Sequence, residues 1–265
     1  MQQQPQSKAN LVIDEIIRWS SGHTHFLTED FQWHKMVRDI QPLKSERRFE
    51  WDGVMGLLYT YVMRFDEAEA CLRNSLRLNY DAVTVFNLFH STLFAGRYGR
   101  AQELFIEHGH PNKGSFSKLV PLAMECGAFE TLVAYFSEAK KMNLEVPDVQ
   151  GLTSSTVRLL TGANLSEKDV ARHLEAAGAV LMKHRIRPLA KRILAGDENR
   201  ASLLSVLFHV PGTPDEVFDL NVELAQMEDE MGIPKHISFD VAFVAGKNAD
   251  IDDSDILGST PEATS

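Results

Sequence analysis

The sequence predicts a mainly α fold, a stack of antiparallel helix pairs followed by a small α+β domain in the order helix, strand, strand, helix, strand. Three observations carry that expectation. A phrase recurs between Phe49 and Asn143: Met63-Arg64-Phe65 with Ala68 and Leu72, Gly96-Arg97-Tyr98 with Ala101 and Phe105, and Gly127-Ala128-Phe129 with Leu132 and Phe136. Phe65 to Tyr98 is 33 residues and Tyr98 to Phe129 is 31, a period typical of stacked helix pairs. After Pro147 the pattern changes, and Ile237, Phe239, Val241 and Phe243 alternate with Ser238, Asp240 and Ala242 as in a half-buried strand.

The elements follow in order. Residues 1–48 read as a capping pair of helices, because an open end of a helical stack must be covered. Leu11, Ile13, Ile16 and Ile17 give the first, ending near Ser20-Ser21; the second starts from Thr28 as N-cap, carries Phe31, Met36, Val37 and Ile40, and stops at Pro42. Residues 49–146 hold three helix pairs. In the first, Val54, Leu57, Leu58 and Tyr61 share a face, answered by Ala68, Cys71, Leu72 and Leu76. In the third, Pro121 falls where the middle of a helix belongs, so that helix starts at Pro121 or kinks there.

Residues 147–246 form the α+β domain. Ser166 to Asp169 is a capping-type start for a helix through Val170, Leu174, Ala177 and Leu181. Ile186–Leu194 and Ser202–Val210, on either side of a turn at Gly196–Asn199, read as a hairpin. A competing reading keeps 186–210 helical, since Arg187, Lys191 and Arg192 do not alternate cleanly. Thr213-Pro214-Asp215-Glu216 opens a helix that stops at Gly232, and residues 247–265 form an acidic tail with too little apolar surface to order itself.

The helix pairs resemble the tetratricopeptide repeat. Met55, Gly56 and Tyr59 take that family's seventh, eighth and eleventh positions, and Ala68 and Leu72 the first two of its second helix. Trp51 falls one residue short of the fourth position, Ser75 replaces a later alanine, and the closing proline is missing. The second copy has Leu88, Ala101 and Phe105 in place but Phe89 where a small residue belongs. The resemblance implies a concave groove lined by Glu50, Gly53, Leu57, Thr60 and Tyr61 and by Val83, Phe86, His90, Leu93 and Phe94. Such a surface suits an amphipathic helix or apolar peptide, with Leu57, Tyr61, Phe86, His90 and Phe94 as the contacts. The same rings could instead pack on the chain's own flanking elements.

Composition bounds the rest. A net charge of −10 argues against general nucleic-acid binding, and no apolar run approaches the ~18 residues of a membrane span. The polar first ten residues lack a secretory core, and Cys71 and Cys126 read as free thiols, which together imply a cytoplasmic protein. His23, His25 and His34, and His108 with His110, lack the carboxylate or cysteine spacing of a zinc site. No nucleophile elbow, phosphate loop or dinucleotide fingerprint occurs, so no catalytic residue, cofactor or metal is assigned. Lys183, Arg185, Arg187, Lys191 and Arg192 form the densest basic patch, suited to an acidic partner or a helix C-terminus. The expected function is therefore a non-enzymatic adaptor, regulator or chaperone. The alternatives are an enzyme or ligand-dependent regulator with a pocket between repeats and α+β domain, and a self-assembling protein that dimerises through the sheet edge near Val241.

Overall fold

The computed structural model describes residues 7–21, 23–146, 148–198 and 201–246, so the acidic tail expected from residue 247 lies outside it. The chain is mostly helical, with neighbouring helices packed in pairs and a three-stranded sheet near the C-terminal end. It divides into two compact units, Met1–Ala95 and Gly96–Ser265, a boundary that falls inside the 49–146 region.

The first unit holds α1 (Lys8–Ser20), α2 (Phe31–Ile40), α3 (Leu43–Glu46), α4 (Arg48–Tyr61), α5 (Phe65–Leu78) and α6 (Ala82–Phe94). Its core joins Val12 and Ile16 of α1, Trp33, Met36 and Ile40 of α2, and Val54, Met55 and Leu58 of α4. Two expectations shift here. The buried stripe of α1 is Ala9, Val12 and Ile16, leaving Leu11 and Ile17 exposed. The N-cap of α2 is Asp30, whose carboxylate accepts from the Trp33 N–H at 3.0 Å, not Thr28, and Phe31 is exposed. An aspartate three residues before the first buried ring satisfies an orphan amide that Thr28 is too distant to reach. The α4–α5 pair closes tightly at Gly56, where a Cβ would stand 2.4 Å from Leu72 Cγ.

The second unit continues with α7 (Tyr98–His108), α8 (Phe116–Glu125), α9 (Phe129–Lys141), α10 (Gln150–Gly162) and α11 (Glu167–Lys183). Then come β1 (Ala190–Glu198), β2 (Ala201–Val210), α12 (Pro214–Glu230) and β3 (Phe239–Ala245). Helix α8 begins at Phe116, with Pro121 in its interior, so it does not start at the proline. Proline there removes one backbone bond, which a short helix anchored by buried Leu119, Val120 and Leu122 tolerates. Helix α10 has no counterpart in the sequence reading. Its inward face is Thr153, Thr156 and Leu160, and the Thr153 hydroxyl donates back to the Val149 carbonyl at 2.8 Å, so no apolar stripe announces it.

The sheet has the order β1-β2-β3, with β1 and β2 antiparallel and β2 and β3 parallel across the α12 crossover. The 186–210 stretch is a hairpin rather than a helix, but β1 runs on through Gly196 to Glu198, so the turn comes later than Gly196. Strand β3 starts at Phe239, and Ile237 is 97% exposed, outside the alternation expected of it. Both long helices keep their expected starts: Ser166 with Asp169 and Thr213 with Glu216 each form a reciprocal capping box.

The recurring phrase has a recurring backbone. Met63, Gly96 and Gly127, each two residues before the aromatic that opens a helix, have φ of 64°, 68° and 74°. This left-handed residue ends one helix and turns the chain into the next. The closing bonds are the Arg64 N–H to the Tyr59 carbonyl at 2.9 Å and the Ala128 N–H to the Ala123 carbonyl at 3.0 Å.

Within the second unit, α11 seats two of these turns. A Cβ on Gly96 would stand 2.8 Å from Gly178 Cα, and one on Gly127 would stand 2.6 Å from Val170 Cγ1. Beside each seat α11 sends a carboxylate to a helix start: Glu175 accepts from the Gly99 N–H at 2.9 Å, and Glu167 from the Thr131 N–H at 3.1 Å and its hydroxyl at 2.7 Å. Helices α7 and α9 have no capping side chain of their own. Seats and carboxylates alike recur eight residues apart, 170 to 178 and 167 to 175, about 12 Å along a helix and close to one helix-to-helix spacing.

Candidate functional site

Three groups of side chains could carry a function. The first is the expected groove on the first unit. Leu57, Thr60 and Leu93 are buried and shape its floor, with the Thr60 hydroxyl 2.7 Å from that of Ser91. Tyr61, His90 and Phe94 are half-buried, and Phe86 and Val83 are exposed. The structure brings the aromatic members together. Phe86 stacks on His90 at 6.1 Å, His90 meets Phe94 at 4.1 Å, and Tyr61 meets Phe94 edge-on at 6.0 Å.

One end of this row is covered by the chain itself. Phe26, in the segment between α1 and α2, packs edge-on against both Phe65 and Phe94 at 5.7 and 5.8 Å. The backbone N–H of Leu27 fixes that segment by donating to the Tyr61 carbonyl at 3.0 Å. The Phe86–Val83 end stays open. Phe26 is a residue the sequence reading missed; an isolated aromatic in a His-rich loop gives no periodic signal.

The basic patch belongs to the second unit and does not form one exposed cluster. Lys183 and His184 both bind Glu223, at 2.7 and 3.0 Å, and Arg185 is exposed in a left-handed turn with φ of 56°. Arg187 and Arg192 are half-buried. Lys191 turns inward. Its stem is partly accessible, while its amine lies 4.4 Å from the Tyr98 ring centre and 4.9 Å from that of Phe208 and donates to the Glu125 carbonyl. Burial pushes the Lys191 ammonium down to about 8, against the pull of Glu125 and Cys126. Burial also raises the Glu125 carboxyl, against Lys191, and pushes the Cys126 thiol up to about 12. Cys71 and Cys126 are both free, and burial raises Cys71 to about 11.

The third group was not singled out from the sequence. A cleft of about 400 Å³ lies among α11, α12 and β3, lined by His173, Asn221, Glu228, Lys235, His236, Phe239 and Asp240 with Leu224, Ala225, Val241 and Ala242. His173 Nδ1 is 2.7 Å from a Glu228 carboxylate oxygen, with the two side chains 4% and 13% exposed. The Phe239 ring stands edge-on to the imidazole at 5.0 Å and the His236 ring at 6.1 Å. His173 Nε2 is buried with no hydrogen-bond partner among the described residues. A buried polar atom left without a partner costs about 1–3 kcal/mol. The Asp240 carboxyl is raised, first by burial and then by the Glu228 carboxylate, while the Val241 N–H and His173 pull it down. Among the described residues no group of three or more His, Cys, Asp or Glu side chains is placed to hold a metal ion.

The cleft also bears on the sheet edge. The Leu204 N–H donates to the Ser238 carbonyl and the Gly246 N–H to the Val210 carbonyl, so even-numbered residues of β3 face β2 and odd-numbered ones face outward. At Phe243 the edge is occupied: the Asn221 amide donates to its carbonyl and accepts from its N–H, both at 2.9 Å. This side chain stands in for one residue of a neighbouring strand.

No family model, no curated protein and no solved structure matches the chain. Among the described residues no helix is long and apolar enough to cross a membrane.

Proposed function

We propose that the chain is a protein-interaction module of tetratricopeptide-like helix pairs, an adaptor or regulator working in the cytoplasm. Its partner is an amphipathic helix or apolar peptide laid along α6. The observation that supports this best is the row Phe86, His90, Phe94 and Tyr61, continuous across α4 and α6, closed by Phe26 at one end and open at Phe86 and Val83. Rings spaced i, i+4 and i+8 form a ridge along one helix face, which matches the apolar face of another helix. The three left-handed turns support the repeat, and two free cysteines suit a reducing compartment. The net charge of −10 favours a protein partner over nucleic acid.

The test is capture of a partner from the native host by the full chain and by Phe86→Glu. Loss of capture with unfolding unchanged is the expected result, and equal capture overturns the reading. A second reading, a small-ligand site, is favoured by the His173 cleft. That cleft lies within the second unit and not between the repeats and the α+β domain as expected from the sequence.

A further inference from the structure

The sheet has two edges, and they are finished differently. At β3 the Asn221 amide fills the Phe243 position. At β1 the register shows which groups are left over. Even-numbered residues of β2 turn their N–H and C=O to β3, so the odd-numbered ones turn to β1, as the His209 carbonyl does in accepting from the Leu189 N–H at 2.7 Å. Ala190 pairs with His209, Arg192 with Leu207 and Leu194 with Ser205, so even-numbered residues of β1 answer them. The N–H and C=O of Ile193 and Ala195 therefore point away from the sheet, and no hydrogen bond among the described residues reaches them.

Natural sheet edges are blunted by bulges, proline, short length or outward charge. Strand β1 pairs with β2 residue for residue over its 9 positions without a bulge or proline, and the Lys191 amine turns in to Tyr98 and Phe208. Ile193 and Ala195 share a face with Val206 and Leu204, which are each 1% exposed, yet they stay half-buried themselves. On the other face Leu194, at mid-strand, is 51% exposed. The strand also runs from basic to acidic, with Lys191-Arg192 near its start and Asp197-Glu198 at its end.

An unmet edge with apolar flanks takes another strand, and the charge order chooses which. An identical strand laid antiparallel sets each basic end beside an acidic one, while a parallel copy sets like against like. We propose that β1 pairs antiparallel with β1 of a second copy, centred on Leu194, joining two sheets into one. In that register Leu194 stands opposite the partner's Leu194 and Ile193 opposite the partner's Ala195, so the outward groups of both strands meet. This dimer stands on β1 alone and is independent of the α6 reading.

The test is the mass of the full chain in solution by sedimentation equilibrium, with three variants. The natural chain is expected to be a dimer that dilutes to monomer. Ile193→Pro removes an outward N–H and no bond to β2, so it is expected to stay folded and monomeric. Leu194→Cys is expected to form a disulfide-linked dimer on mild oxidation, beyond any formed by the natural chain. Facing residues that exchange no hydrogen bonds have Cα atoms about 4.5 Å apart, within reach of a disulfide. Arg192→Cys is expected to stay unlinked, its two copies being about 13 Å apart along the strands. A natural chain monomeric up to ~1 mM, a dimer unchanged by Ile193→Pro, or linkage at 192 equal to that at 194 each overturns the proposal. If Ile193→Pro fails to fold, the two cysteine variants decide.

Discussion

The same phrase is completed differently in the two units. In the first, the helix opened by Phe65 carries its own acids, Asp66 and Glu67, in its first turn, and they suit its positive end. In the second, Tyr98 is followed by Gly99 and Arg100, and Phe129 by Glu130 and Thr131; these helix starts borrow Glu175 and Glu167 from α11. The first unit then closes its surface with rings around Phe26 and Phe94. The second buries titratable groups: the Lys191 amine, the Glu125 carboxyl and the His173–Glu228 pair. A local repeat thus lays down turns and helices, while the partner that satisfies each helix end is settled by tertiary context.

The largest expected effect tests the seats of α11. Gly178→Ala places a Cβ 2.6 Å from Gly96 Cα, backbone against backbone, and should cost about 1–3 kcal/mol by chemical unfolding. Gly56→Ala in the first unit meets only the Leu72 side chain and should cost less. Equal costs would mean that the two units close their helix pairs by the same means.

The next effect is a pH dependence. The Lys191 ammonium titrates at about 8 in the folded chain and at ~10.4 once unfolded. Between these values the Lys191 site binds more protons in the unfolded chain, so its own contribution to stability rises as pH climbs from about 8 to about 10. The raised Cys71 and Cys126 thiols act in the opposite direction over the same range, so the effect is read as the difference between the natural chain and Lys191→Met, which should grow by about 2 kcal/mol across the window. A difference that does not change with pH would show that the amine is not the group responsible.

Smaller effects separate borrowed caps from local ones. Glu175→Ala and Glu167→Ala should each cost about 1 kcal/mol and add in the double variant, since they stand two helical turns apart without a shared partner. Faster hydrogen exchange at Gly99 and Thr131 respectively would accompany them. Asp66→Ala in the first unit, exposed at a helix start, should stay within about 0.5 kcal/mol. Smallest is Met63→Gly, which relieves a left-handed non-glycine residue where the other copies already use glycine, and should raise stability by roughly 0.5–1 kcal/mol.

These contrasts also mark what the sequence makes legible. The helix pairs, both capping boxes, the hairpin and the final strand are local patterns of period and cap, and they can be read directly. Helix α10 escapes because threonines fill its inward face, and Phe26 because a lone ring in a loop has no period. The cleft escapes for another reason. His173 stands 55 residues before Glu228, and Asp240 comes from a third element, so no spacing rule links them. The inward turn of Lys191 is hidden likewise, since a basic residue in a basic run gives no sign that two rings and a carbonyl await its amine.

The most direct test of the interaction reading places a photo-crosslinking phenylalanine analogue at Phe86 of the full chain, with Asp66 as an exposed control in the same unit. The expected result is crosslinking at position 86, not at 66, to a segment of another protein whose apolar residues recur at helical spacing. Equal crosslinking at both positions, or crosslinks at 86 only to this chain, would contradict it.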